Sequence, residues 1–201
     1  DTIKSDFYDI STIKLGTIFD NLNDKYFPTN GRSIELFLET NFLQSSNIRA
    51  FSKAELNYLS VFSIGKHTIS QSLQFGAADE TLPYPEFFSM GGEDKFLGML
   101  EDEMIGRQIV LGTLAYRVLM PFELFFDTYF LFNYNIGSAW EKTENIRIGD
   151  LKHGLGLGLA FNTPLGPAKV LTGKGFYFRN APQGVVWGPT NFYFSLGMKL
   201  N

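Results

Sequence analysis

The chain contains no cysteine, which excludes disulfides and thiolate metal centres. It also contains no run of 18 or more apolar residues, so no transmembrane helix is available. Positive charge is not in excess. Lys and Arg number 17 against 21 Asp and Glu, and the resulting net charge of -4 argues against a nucleic-acid partner, whose phosphates need a basic surface. Histidine is nearly absent: His67 and His153 are the only two, and neither has a second ligand at metal spacing. Helical periodicity is missing throughout, and nothing marks a domain boundary, so residues 1–201 read as one domain. No catalytic, cofactor-binding or metal-binding residues are expected, and the chain as given is not expected to be an enzyme.

What the chain does have is phenylalanine: 21 copies beside 9 Tyr, although mean hydropathy is -0.04. A soluble domain hides that much Phe in a core, whereas a transmembrane barrel spreads it over its outer surface and keeps the inner face polar. Composition does not choose between them. The pattern does. In Ser33–Phe42 the even positions are mainly apolar, while Ser33, Glu35, Glu39 and Asn41 share the other face. Phe126, Phe130, Phe132, Tyr134 and Ile136 oppose Asp127, Asn133 and Asn135 in the same way, and Phe192, Phe194 and Leu196 oppose Asn191, Tyr193 and Ser195. Alternation of period two places successive side chains on opposite sides of a strand. The segments match the about 9–11 residues that a tilted strand needs to cross a bilayer.

Turn signals such as Pro28-Thr29-Asn30-Gly31, Ile64-Gly65-Lys66-His67 and Thr163-Pro164-Leu165-Gly166-Pro167 separate about nine strands. They are expected near 8–21, 32–43, 50–63, 67–77, 107–119, 124–138, 153–163, 168–178 and 190–200. The fold class is therefore all-β, an antiparallel transmembrane β-barrel with about 8–9 strands in this chain. Bacterial single-chain barrels use even numbers. Three arrangements stay open: a small barrel of eight, part of a larger barrel, or two copies sharing one barrel. One connection, residues 78–106, is far longer than usual and is rich in aromatics (Tyr84, Phe87, Phe88, Phe96), so it is expected to pack against something.

Within it, Ser89-Met90-Gly91-Gly92-Glu93-Asp94-Lys95-Phe96-Leu97-Gly98 resembles the Leu-Gly-Gly … Leu/Val-Arg-Gly-Phe/Tyr pattern of the BamA/TamA outer-membrane assembly superfamily (bacterial surface antigen type). Four further segments fall in that family's order, covering roughly residues 20–170. They are Asp20-Asn21 with Tyr26-Phe27-Pro28-Thr29-Asn30-Gly31, Leu114-Ala115-Tyr116-Arg117, Asn135-Ile136-Gly137-Ser138-Ala139-Trp140, and Gly154-Leu155-Gly156-Leu157-Gly158 with Thr163–Pro167. The resemblance implies a re-entrant loop, carried here by Gly91, Gly92, Phe96, Leu97, Gly98 and Met99, that faces a lumenal wall at Ala115, Arg117 and Asn135. In the family an Arg on the loop pairs with a Glu and an Asp on the wall. The matching positions here are Leu97, Ala115 and Asn135, so all three charges are missing. The loop is then expected to be held by packing of Phe96, Leu97 and Met99, and the triple loss points away from a working insertase. Ser195, Gly197 and Leu200 resemble the polar-x-Gly-x-x-apolar signal on the last strand of such barrels.

The wording from Phe87-Phe88-Ser89-Met90 through Met104-Ile105-Gly106-Arg107-Gln108 further resembles barrels fused behind patatin-like phospholipase domains. The expected function is thus a membrane anchor or translocation channel in the bacterial outer membrane for an N-terminal lipid hydrolase. The alternatives are an outer-membrane assembly or secretion factor and, from another class, a soluble lipid-binding β-barrel. Expected partners are lipopolysaccharide and phospholipid, the barrel assembly machinery during biogenesis, and a second copy of the chain. Among other residues, Glu101-Asp102-Glu103 reads as a solvated run, a cation site or acid–base pair being the sharper alternative, and Arg107 with Arg117 as lumenal charge balance, with binding to those acids or to lipopolysaccharide phosphates the sharper alternative. The Gly154/156/158 triplet reads as room for a curved sheet or for close approach of the long loop. Trp140 and Trp187 read as interface aromatics.

Overall fold

The computed structural model describes residues 11–41, 49–122, 125–180 and 183–197. Among these, nine long strands form one antiparallel sheet: β1 (Ile13–Asp20), β2 (Gly31–Asn41), β3 (Phe51–Ile64), β4 (His67–Ala78), β7 (Gln108–Leu119), β8 (Thr128–Trp140), β9 (Lys152–Thr163), β10 (Gly166–Asn180) and β11 (Gln183–Leu196). Strands that follow one another along the chain are neighbours; the long connection holds β5 (Phe88–Met90) and β6 (Met104–Gly106), a two-stranded ribbon, and single 3-10 turns lie at Tyr84–Glu86, Thr143–Asn145 and Ile148–Asp150. All nine expected strands are present. The last begins at Gln183 rather than near 190, because Val185, Val186 and Trp187 continue the ladder beyond a register shift between Lys174 and Phe176. Ala78 completes β4, so the long connection is residues 79–107, in which Phe88–Met90 and Met104–Gly106 pair with each other.

Period-two alternation sorts the sheet into two unlike faces. One face carries Ile34, Leu36, Leu38, Leu56, Phe62, Phe75, Phe132, Phe178, Phe192 and Phe194, all exposed, with Phe192 at 80%. Register places Glu35 opposite Asn57, Glu39 opposite Lys53, Asn57 opposite Gln74, and Thr113 opposite Asn135, so these polar residues share the other face. There Gln74 and Asn57 donate to Glu55 Oε1 at 2.9 and 3.0 Å, and Lys53 bridges Glu39 and Glu86. This inside-out distribution is that of a barrel wall in lipid.

The apolar core lies between the polar-face wall and the long connection. Phe88, Met90, Phe96 and Met99 of the connection pack on Ile109 and Leu111 of β7. A second, smaller cluster joins Phe51 to Leu82. Fully burying side chains of this size contributes about 1.5–3 kcal/mol each, so the sheet and its loop fold as one unit. The first and last strands run in the same direction, because eight antiparallel pairings in a row separate them. Among the described residues the sheet is open along both of these edges.

Candidate functional site: the loop seat on the inner wall

The seat of the loop is a patch of glycine. β9 and β10 pair with Gly154 opposite Gly175 and Gly156 opposite Gly173, and all four lie on the inner face. The loop tip is laid directly on them. A Cβ at Gly154 would overlap the Leu97 carbonyl and the Phe96 ring, one at Gly173 would sit 2.7 Å from Gly98 N, and one at Gly175 would sit 3.1 Å from Gly98 O. Side chains at these positions would hold the loop away from the wall. Gly98 itself has φ +100, which L-residues rarely adopt, so the tip also depends on glycine for its turn. Gly91 and Gly92 have positive φ as well, and Gly92 pairs with Phe96 to close the tip. Gly158 differs: its inner side meets Val170 and Leu171 of β10, not the loop.

Polar contacts fix the tip in place. Asn135 Oδ1 accepts from Leu97 N at 3.3 Å, while its Nδ2 donates to Lys95 O at 3.3 Å and to Thr113 Oγ1 at 2.8 Å. The Tyr193 hydroxyl accepts from Gly98 N and donates to Met99 O, both at 2.8 Å. Lys169 Nζ lies 3.0 Å from Glu93 Oε1 and 3.3 Å from Asp94 Oδ1, and Ser195 Oγ donates to Glu93 Oε1 at 2.8 Å. Thus two of the three positions matched to the family's charged pair, Leu97 and Asn135, do meet. The third, Ala115, is paired with Asn133 rather than Asn135; it is Thr113, two residues before it on the same inner face, that faces Asn135 and accepts its hydrogen bond.

The sequence leads one to expect a loop held by packing of Phe96, Leu97 and Met99. Phe96, Leu97 and Met99 are indeed buried, at 0, 1 and 7% exposure, yet a charged cluster and two hydrogen-bonding side chains act beside them. Lys169, Thr113 and Tyr193 carry no local motif, and Glu93 and Asp94 fall at unspecified positions of the Gly-Gly pattern. Their only visible signal is inward parity on a strand, or proximity to the Gly-Gly pair.

Arg117 points inward but does not meet this loop. Its Nη2 donates to Pro28 O at 2.6 Å, and its guanidinium lies over both Phe27 and Tyr129, whose rings stack at 4.7 Å. The β1–β2 connection therefore folds over the opposite end of the inner face, with Ser63 Oγ donating to Thr29 O. Asp24 shapes this turn: its Oδ1 accepts from Tyr26 N and Phe27 N at 2.7 Å, and these bonds hold its carboxyl below the ordinary value of 3.8. Arg107 does not pair with the acidic run either. It reaches Glu141 and Leu82 O and lies over Phe87, while Glu103 accepts from Leu100 N.

His67 bonds Tyr116 OH and His153 bonds Tyr134 OH, and no group of three or more metal-binding side chains exists among the described residues. Trp187 is half exposed, packed on Phe176. Trp140 is buried at 8% exposure, which differs from the interface position expected for it. At the chain end Gly197 takes φ +87 and donates to Pro167 O, and Leu200 lies outside the described residues.

This fold has solved counterparts. It superposes on the crystal structure of BamA from Haemophilus ducreyi lacking POTRA domains 1–3, with a TM-score of 0.70 and 16% identity. The match covers 90% of this chain and 42% of that one, so the present chain spans less than half the length of the protein it resembles. No curated protein matches the chain. A family profile described as the Omp85 superfamily domain matches residues 1–199, nearly the whole sequence, and the chain belongs to that superfamily.

Proposed function

We propose that this chain forms part of an outer-membrane β-barrel whose lumen is occluded by its own re-entrant loop, and that it serves as a membrane anchor or gated translocation pore. One observation carries the reading. The apolar face is turned outward, with Phe192 and Phe194 at 80 and 73% exposure, while the inward face is polar and filled by residues 79–107. A soluble lipid-binding barrel would place that apolar face inside. The end from which residues 79–107 and 141–151 emerge is the extracellular one under the usual rule of long outer loops, and the Gly65-Lys66 and Pro164-Leu165 turns are periplasmic. Lipopolysaccharide and phospholipid are then the partners of the outer face, and the barrel assembly machinery inserts it.

Because β1 and β11 run in the same direction, an odd number of further strands closes the barrel with antiparallel pairs only. Two copies in one membrane would meet β1 to β11 in parallel. This favours closure by other strands over a shared homodimeric barrel. A patatin-like hydrolase domain attached to the barrel is supported by the wording of residues 87–108, and a Gly-x-Ser-x-Gly elbow in the residues preceding Asp1 of the natural protein would test it. An assembly-factor role is the second reading, favoured by the likeness to BamA. The occlusion is tested by planar-bilayer conductance of the full-length protein. Low conductance that rises on deletion of residues 92–98 supports the reading, and equal conductance with and without the loop contradicts it.

A further inference from the structure

We infer that the loop is locked in its seat by the last hairpin of the sheet, through a latch of Glu93 and Asp94 on the loop against Lys169 and Ser195 on the wall. The inference rests on the occluding role of the loop only for its consequence, not for its geometry. Lys169 and Ser195 are register partners across β10 and β11, so one ladder rung presents an ammonium and a hydroxyl side by side. Both reach the same atom, Glu93 Oε1, at 3.0 and 2.8 Å. The Glu93 side chain is 10% exposed and that of Lys169 29% exposed. The Glu93 carboxylate is largely covered and Lys169 only partly so, which screens the pair less than a surface one, and losing Lys169 strands the covered Glu93 charge. Two residues along β11 on the same face, Tyr193 grips the loop backbone at Gly98 and Met99. The latch and the clamp thus sit on one strand.

That strand is an edge. Among the described residues β11 is paired only with β10, and its other side is free. Whatever strand pairs there fixes the position of Tyr193 and Ser195, and through them the loop. By linkage the seated loop stabilises the same placement of β11 in return. Barrel closure and lumen occlusion are therefore coupled through three side chains of the last hairpin, Lys169, Tyr193 and Ser195.

The test uses the full-length protein in outer-membrane vesicles. Because these 201 residues lack cysteine, a single thiol introduced by Met99→Cys reports whether the tip is seated, read as its rate of labelling by an impermeant maleimide. Heat-modifiable gel mobility confirms that each variant remains folded. Lys169→Glu is expected to speed labelling about tenfold or more, and the charge swap Glu93→Lys with Lys169→Glu to return it most of the way. Tyr193→Phe and Ser195→Ala, which keep shape, are expected to speed it as well, and they carry the test if Lys169→Glu does not fold. Unchanged labelling in Tyr193→Phe and Ser195→Ala overturns the inference. So does a folded Lys169→Glu variant that the swap does not rescue.

Discussion

Asn135 holds the backbone of Leu97: its Oδ1 accepts the Leu97 amide at 3.3 Å from a position that is 2% exposed. The same side chain donates to Lys95 O and Thr113 Oγ1, so a single neutral amide satisfies three partners at the centre of the seat. Removing it leaves buried groups unpaired, which costs about 1–3 kcal/mol. Asn135→Ala is expected to lower the thermal midpoint in detergent. Asn135→Asp is expected to lower it further, because a carboxylate cannot donate to Lys95 O. An unchanged midpoint for both would show that these bonds do not hold the loop.

The glycine patch makes a sharper steric prediction. Gly156→Val and Gly173→Val put side chains where Leu97 and Gly98 now lie, whereas Gly184→Val meets open space. The first two should expose the loop tip to protease while strand content by circular dichroism stays constant. The third should leave protease sensitivity at the wild-type level. Equal behaviour of all three would mean that the loop does not rest on this wall.

How far the sequence could be read follows from the range of each signal. Strands were legible because lipid-facing and inward residues alternate every two positions, as in Ile34/Glu35 and Phe194/Ser195, and that period is local. The seat was half legible: Gly154 and Gly156 stood out as a run, but Gly173 and Gly175 only become a patch once β9 and β10 are in register. The latch was not legible at all. Lys169 and Asp94 are 75 positions apart, Ser195 and Glu93 are 102 apart, and no sequence period joins them. Arg117 lies on the inner face at the end away from the loop tip, because parity sets a residue's side and not its height on the wall.

At the opposite end, Arg117 carries the turn over residues 21–30 through Pro28 O and its contacts with Phe27 and Tyr129. Lys keeps the charge but loses the planar face and the fork of donors. Arg117→Lys should therefore speed tryptic cleavage after Lys25, since cutting there requires the turn to open. Cleavage at the wild-type rate would show that the turn stands without Arg117.

Asp24 makes this turn acid-sensitive. Its folded carboxyl titrates below the ordinary 3.8, so its ionised form stabilises the turn fully above that value, and the contribution is lost as pH falls through the depressed folded value. Hydrogen exchange at the Tyr26 and Phe27 amides, corrected for its intrinsic pH dependence, should keep its protection above pH 3.8 and lose it below. In Asp24→Asn, which retains the acceptor oxygen without the titration, protection should be flat across the same range. Acid loss that persists in Asp24→Asn would place the cause elsewhere.

The central claim is that residues 92–98 lie inside the barrel against β9 and β10. Among these residues, which lack cysteine, Glu93→Cys with Lys169→Cys tests it by capture with a short bis-maleimide, since Glu93 Oε1 lies 3.0 Å from Lys169 Nζ of β10. Bridging should be efficient in the folded full-length protein, visible as a mobility change, and absent for Glu93→Cys with Ala54→Cys on the outer face. No bridge to position 169, or equal bridging to position 54, would contradict the account.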